Sequence, residues 1–205
     1  MSAFYSRQMN HASSCVFTIG HSSRPLAEFL DLLAAAKIRC VVDVRRLPGS
    51  CAFPQYNADT LARALQEHGI DYWHLDSLCG RRSKRELHGA PPEMFWTNAS
   101  FAVYATYARS ESFAQGLDQL LLRTREQRCA VMCSEAVWWR CHRRIITDHL
   151  LARGYEVRHI MGYNNVVSAR LTTGATVRAG TVIYPANPGH AAMPMASPQS
   201  QGRPS

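Results

Sequence analysis

The fold class is set by the stretch Cys15-Val-Phe-Thr-Ile-Gly-His-Ser22, which is followed by Pro25-Leu-Ala-Glu-Phe-Leu-Asp-Leu-Leu-Ala-Ala-Ala-Lys-Ile38. The first run is short, apolar and β-rich, and it stops at Gly20. The second run has helical periodicity, with Pro25 in the first turn, where a missing N–H costs nothing. The stretch therefore predicts a strand, a loop and a helix.

The same unit recurs along the chain. Strands that alternate with helices predict right-handed crossovers and a mainly parallel sheet with flanking helices, a Rossmann-like three-layer α/β fold. Residues 171–186, punctuated by Gly174 and Gly180, predict a small C-terminal β-hairpin. The other predicted elements are strands at 40–44, 71–75, 129–133 and 156–160, and helices at 58–68, 101–127 with a break near 110–112, and 136–153.

Length and composition predict one domain. The chain has 205 residues and 46% hydrophobic content, enough for one full core. We expect an α/β domain over 15–186, a flexible N-terminus over 1–14, and a disordered tail over 187–205, where Pro, Ser, Gly and Ala dominate. No targeting segment or run of about 20 apolar residues is present, so the prediction is a cytoplasmic protein with no membrane partner.

Charge and cysteine content limit the kinds of partner and metal site that the sequence predicts. The net charge is +8, and most basic residues are arginine, which binds planar anions bidentately. The partner is therefore expected to be an anionic small molecule or nucleic acid, the alternative being a basic surface that only aids solubility. Seven cysteines without a CxxC pair indicate a reduced protein, and the spacing of Cys133, Cys141 and His142 is not that of a zinc finger. No structural zinc site is predicted and no residue is assigned as a metal ligand; whether a metal is bound, the cofactor and the oligomeric state stay open.

Polar side chains follow four predicted strands. Open parallel sheets place their sites beyond the carboxyl ends of the strands, so these groups are expected to line one pocket. The chain has no GxGxxG or GxxxxGK[ST] motif, which excludes the usual nucleotide loops. The four strand-end groups are His21 and Ser22; Asp43, Arg45 and Arg46; Arg81 and Arg82; and Cys133 with Glu135.

The segment from Cys133 to Arg144 combines a strand end with a predicted helix start. Cys133 at a helix N-terminus would have a lowered pKa, and Arg140 and Arg143 would lie in the early turns. The pattern is similar to the phosphate loop of tyrosine phosphatases and rhodaneses, but here six residues rather than five separate Cys133 from Arg140. Cys133 is therefore either an activated thiol or an inert core residue.

Other residues carry alternative interpretations. Glu135 is a general base, a metal ligand or an acid that complements the helix dipole. His142 is a polar site member or a structural histidine. Asp43 is a site acid or the partner of Arg45 or Arg46. Trp138 and Trp139 point about 100° apart on a helix, so one is predicted to pack in the core and the other, Trp139, to offer a stacking surface.

The basic run Arg81-Arg-Ser-Lys-Arg85 is the densest in the chain. Together with Trp96, Tyr104 and Tyr107 it could form a basic, aromatic surface for single-stranded nucleic acid. The alternative is a solvated loop.

Three motifs identify a family: Thr18-Ile-Gly-His-Ser22, Val42-Asp-Val-Arg-Arg46 and Met132-Cys-Ser-Glu-Ala-Val-Trp-Trp-Arg-Cys-His-Arg143. From about residue 15 to 185 the chain resembles the domains of unknown function numbered 488, found in bacteria and archaea. The chain departs from that pattern at Cys51, Cys79-Gly80 and Ala169. The resemblance implies an association with DNA repair, but the family has no established reaction. It implies a pocket formed by His21, Ser22, Asp43, Arg45, Cys133, Glu135, Cys141, His142 and Arg143.

Three functions remain open from the sequence. The first is an enzyme or sensor for a phosphate-bearing ligand, in which Arg45, Arg140 and Arg143 clamp the anion. Asp43, Glu135 and His142 are then its acid, base or metal groups. The second is sulfur or phosphoryl transfer through Cys133, and the third is a non-catalytic nucleic-acid-binding module.

Overall fold

The computed structural model describes residues 15–49 and 51–186. The flexible N-terminus predicted for 1–14 and the disordered tail predicted for 187–205 lie outside the described residues. No helix in the described part of the chain is both long enough and apolar enough to cross a bilayer.

The core of the fold is a six-stranded sheet with the order β3-β2-β4-β1-β5-β6. The first five strands in that order are parallel, and β6 runs antiparallel to β5 as an edge strand that was not predicted. β4 lies at the centre of the sheet, between β1 and β2. The strands are β1 (Cys15–Gly20), β2 (Cys40–Asp43), β3 (Asp71–His74), β4 (Cys129–Cys133), β5 (Glu156–Gly162) and β6 (Asn165–Ser168).

Two apolar layers cover the two faces of the sheet. Successive strand residues alternate between them: Val41 joins one buried cluster and Val42 the other. One layer contains α1 (Leu26–Ala35) and α2 (Ala58–Glu67). The other contains α3 (Ala99–Tyr107), α4 (Glu111–Glu126) and α5 (Arg143–Ala152). The predicted three-layer α/β fold is confirmed, as is the C-terminal hairpin, formed by β7 (Thr176–Arg178) and β8 (Thr181–Ile183).

The predicted break in the helix over 101–127 is also confirmed. Ser110 ends the connection between α3 and α4 and caps α4, because its hydroxyl accepts a hydrogen bond from the Phe113 N–H at 3.2 Å.

The predicted start of the last helix at residue 136 is wrong. α5 begins only at Arg143, and residues 134–142 form a loop that contains a 3₁₀ turn at Trp138–Arg140. Tertiary contacts decide this local structure. Trp138 stacks on the buried His159 at 4.3 Å between ring centroids, and the loop crosses the end of β1.

Candidate functional site

A cleft of about 910 Å³ opens beyond the carboxyl ends of β1, β2 and β4. Its position is the one that the strand order predicts, because β4 enters the sheet between two strands that come earlier in the chain. The groups that line it include four arginines and one carboxylate. The lining side chains with chemistry are His21, Ser22, Arg45, Arg46, Arg81, Cys133, Ser134, Glu135, Arg140, Cys141 and His142.

Asp43 and Arg45 form a buried ion pair at the end of β2. The Asp43 carboxylate accepts hydrogen bonds from the Arg45 guanidinium at 2.6–3.0 Å and from the Arg45 backbone N–H at 2.9 Å. Tyr72 donates a further hydrogen bond at 2.7 Å. Asp43 is fully buried and does not line the cleft, whereas Arg45 does. Of the two interpretations of Asp43, this geometry fits the structural partner of Arg45.

His21 joins this pair to the end of β1. Its ring stacks on Tyr56 at 4.0 Å, its Nδ1 lies 2.9 Å from the Ser22 carbonyl, and its Nε2 lies 3.2 Å from Nη1 of Arg45. Burial, with a contribution from the charge of Arg45, lowers the pKa of His21 to about 4. The neutral ring therefore donates from Nδ1 to Ser22 and accepts from Arg45. Ser22 itself lines the cleft with φ of 50°, an uncommon conformation for a serine.

The 134–142 loop is anchored on β1. The backbone N–H groups of His21 and Ser22 donate to the carbonyls of Cys133 and Ser134 at 3.0 and 2.9 Å. A Cβ atom at Gly20 would lie 1.9 Å from the Glu135 carbonyl oxygen. Gly20 therefore allows the 134–142 loop to pack directly against the end of β1.

Arg143 lies beneath this loop rather than in the cleft lining. It is 1% exposed, and its Nη2 donates to the Glu135 carbonyl while its Nε donates to the Cys141 sulfur at 3.4 Å. Among the described residues it forms no ion pair with a carboxylate. The Glu135 side chain, by contrast, is exposed and lines the cleft.

Cys133, Cys141 and His142 meet at the cleft floor, with their candidate ligand atoms all within 4.8 Å of one another. The Cys141 sulfur and burial raise the pKa of Cys133 to about 12. Although burial opposes it, the Cys133 thiol and the charge of Arg143 lower the pKa of Cys141 to about 6. The predicted lowering of the Cys133 pKa is therefore wrong, because α5 begins too late to place its N-terminus at Cys133. Of the two thiols, Cys141 is the one whose pKa is lowered, and it is 2% exposed.

The remaining predicted arginines divide into two groups. Arg46 lines the cleft but also bridges Asp76 at 3.0 Å and Glu86 at 3.6 Å. Arg82 does not line it: its guanidinium pairs with Glu86 at 3.0 Å and lies 4.1 Å from the Tyr107 ring centre. The side chains of Arg81 and Arg140 line the cleft and make no polar contact with the described part of the chain.

The predicted aromatic surfaces are largely occupied. Tyr104 and Tyr107 are buried and donate hydrogen bonds to the Leu78 and Ser77 carbonyls at 2.7 and 2.8 Å. Trp96 packs between Phe101 and Tyr184, so the predicted stacking surface of Trp96, Tyr104 and Tyr107 beside the basic run is wrong. Trp139 is 47% exposed and lies outside the cleft, so it is not a stacking surface of this site. Trp138 is half-buried rather than part of the core.

Sequence reasoning missed the residues that shape the cleft without reacting. Tyr56 and Tyr72 hold His21 and Asp43, and a Cβ at Gly80 would lie 2.6 Å from the His142 ring. The only available signal was the glycine directly after Cys79.

The family model described as "Domain of unknown function DUF488" matches residues 25–150, more than half of the chain. The chain belongs to this family. The family match spans α1 to α5 and so includes most of the residues that line the cleft. No curated protein and no solved structure was found to match the chain.

Proposed function

We propose that this DUF488-family protein binds a phosphate-bearing small molecule, such as a nucleotide, in the cleft beyond β1, β2 and β4. The observation that carries the proposal is the charge of the lining. Four guanidinium groups and one carboxylate, that of Glu135, line the cleft among the described residues. Arg45 and Arg46 are already paired with carboxylates. The charges left for a ligand are therefore those of Arg81 and Arg140. Unpaired guanidinium groups in a concave site favour an anionic ligand such as a phosphate group.

Size and lining also support a nucleotide. A volume of about 910 Å³ lies within the range of small-molecule sites. Phe53 and Phe101 line the cleft together with the arginines, which gives a base an apolar surface beside the phosphate groups. Glu135 and His142 are the acid–base groups within reach if the bound phosphate ester is hydrolysed.

Arg81 and Arg140 provide the sharpest test, since their side chains have no other polar contact in the described structure. Arg140→Ala and Arg81→Ala are each expected to weaken binding of a nucleoside triphosphate by on the order of tenfold, measured by isothermal titration calorimetry. Arg125→Ala, an exposed arginine on α4, is the matched control and should bind like the wild type. A nucleotide that does not bind, or that binds equally to all four proteins, contradicts the proposal.

A single-stranded oligonucleotide distinguishes nucleic acid from nucleotide. A polymer contacting several phosphates loses affinity steeply with salt, and its affinity rises with length. If binding depends on oligonucleotide length and not on Arg140, the non-catalytic nucleic-acid module is favoured instead.

A further inference from the structure

Anion binding by the arginines does not explain why Cys133, Cys141 and His142 lie together in the cleft. We propose that these three residues bind one Zn²⁺ ion and leave its fourth coordination position facing the cleft. Two sulfurs and an imidazole form a ligand set that suits zinc, and three protein ligands with an open position are typical of catalytic rather than structural zinc sites. This proposal does not depend on the arginines that would hold a phosphate. With zinc bound, His142 is a metal ligand and Glu135 is the acid–base group that remains in the cleft.

The distances match a tetrahedral ion. Zinc bonds of about 2.3 Å to sulfur and 2.0–2.1 Å to nitrogen require sulfur–nitrogen separations of roughly 3.6 Å. Nδ1 of His142 lies 3.5 Å from the Cys141 sulfur and 3.9 Å from the Cys133 sulfur. The three ligand atoms all lie within 4.8 Å of one another, so an ion needs only small side-chain shifts.

The surroundings hold the ligands in place. The His142 ring lies against Gly80, where no side chain fits, and against the edge of Tyr104 with ring centroids 4.9 Å apart. Cys141 receives hydrogen bonds from the backbone N–H of Arg143 at 3.5 Å and from its Nε at 3.4 Å. Donors of this kind stabilise a thiolate ligand and orient it towards the metal.

Charge determines what the open position would bind. Two thiolates neutralise a divalent ion, and the buried Arg143 then leaves one positive charge beside it. That charge favours an anionic fourth ligand, either hydroxide or an anion from the cleft. All three metal ligands line the cleft, so such a ligand has access.

Metal content of the full chain, purified without chelator, tests the proposal. We expect about one zinc per chain by mass spectrometry. Replacement with Co²⁺ should give tetrahedral d–d bands and a thiolate-to-cobalt charge-transfer band. Cys133→Ser, Cys141→Ser and His142→Gln should each weaken zinc binding by about a hundredfold or more, since even residues outside the ligand set change affinity by about 10- to 100-fold.

Cys79→Ser is the matched control. Cys79 is also buried beside an imidazole, with its sulfur 3.4 Å from Nε2 of His74, but it lies outside the cluster. It should keep zinc and the cobalt spectrum. A control variant that loses zinc together with the other three contradicts the assignment.

A measurement on the wild type avoids variants that fail to fold. Alkylation mapped by mass spectrometry should show Cys133 and Cys141 more reactive after chelation than in the zinc-loaded protein, with the exposed Cys51 equally reactive in both. The proposal is overturned by substoichiometric zinc, by cobalt binding without a thiolate band, or by chelation that changes neither thiol.

Discussion

Arg45, just after β2, and Arg143, the first residue of α5, are two buried guanidinium groups with opposite surroundings. Arg45 is 6% exposed and has the Asp43 carboxylate as its partner. Arg143 is 1% exposed and has a carbonyl and a sulfur instead, with no carboxylate bonded to it in the described structure. The charge of Arg45 on the β2 side of the cleft is therefore neutralised. The β4 side keeps a positive charge that stabilises a thiolate or another anion.

The largest expected effect on stability is on the β2 side, where the Arg45 charge is neutralised. Asp43→Asn leaves the Arg45 charge buried without a counter-ion, and we expect a loss of about 3–5 kcal/mol in the free energy of unfolding, measured with urea. Asp76→Asn breaks the more exposed pair with Arg46 and should cost less than about 1 kcal/mol. Equal losses in the two variants would show that Asp43 is not a buried counter-ion.

The second largest expected effect is a loss of stability in acid, caused by His159 near Arg143. Burial and the charge of Arg143 lower the pKa of His159 from 6.5 to about 4. The unfolded chain takes up this proton at higher pH than the folded chain, so the contribution is complete above pH 6.5 and is lost as the pH falls towards 4. The loss is up to about 3 kcal/mol, since one pKa unit corresponds to about 1.4 kcal/mol.

Comparison of variants isolates this contribution from other acid effects. Between pH 6.5 and 4, His159→Gln should lose less stability than the wild type in urea titrations. His68→Gln, at an exposed ring bonded to the Ala64 carbonyl, should follow the wild-type curve. A His159→Gln curve that parallels the wild type would contradict the prediction.

The loop that joins the two sides should be sensitive to one methyl group. Gly20→Ala places Cβ 1.9 Å from the Glu135 carbonyl oxygen, so the loop must shift, at a cost of about 1–3 kcal/mol. Gly162→Ala, with nothing within 4 Å of the new Cβ, should change unfolding by less than about 0.5 kcal/mol. Chemical denaturation of the two variants measures the difference, and equal stability would mean that the loop does not rest on Gly20.

The smallest expected effect concerns the thiolate. Arg143→Gln removes the positive charge beside Cys141 and should raise the pKa of its thiol by about one unit or more, worth about 1.4 kcal/mol. Thiolate ultraviolet absorbance against pH in zinc-free protein measures this shift. Arg45→Met should leave the Cys141 transition where it is. A shift caused by Arg45 rather than Arg143 would reverse the comparison.

Local pattern was sufficient for the parallel strands and for most helices, because apolar runs and helical periodicity are properties of neighbouring residues, but it missed the edge strand β6. The break at Ser110 followed from the polar stretch around it. The late start of α5 did not, since the stacking of Trp138 on His159 joins residues far apart in the chain. The same reason explains Tyr104 and Tyr107, whose hydroxyls bond to carbonyls some 26 and 30 residues away.

The sequence by itself determined the α/β class, the family and the strand ends at which polar residues gather. These features depend on periodicity and on residue types within short segments. Tertiary structure decided which arginine is neutralised, which cysteine lies beside Arg143, and that Cys133, Cys141 and His142 share one corner of the cleft. Those outcomes depend on charge, burial and distance between segments that only folding brings together.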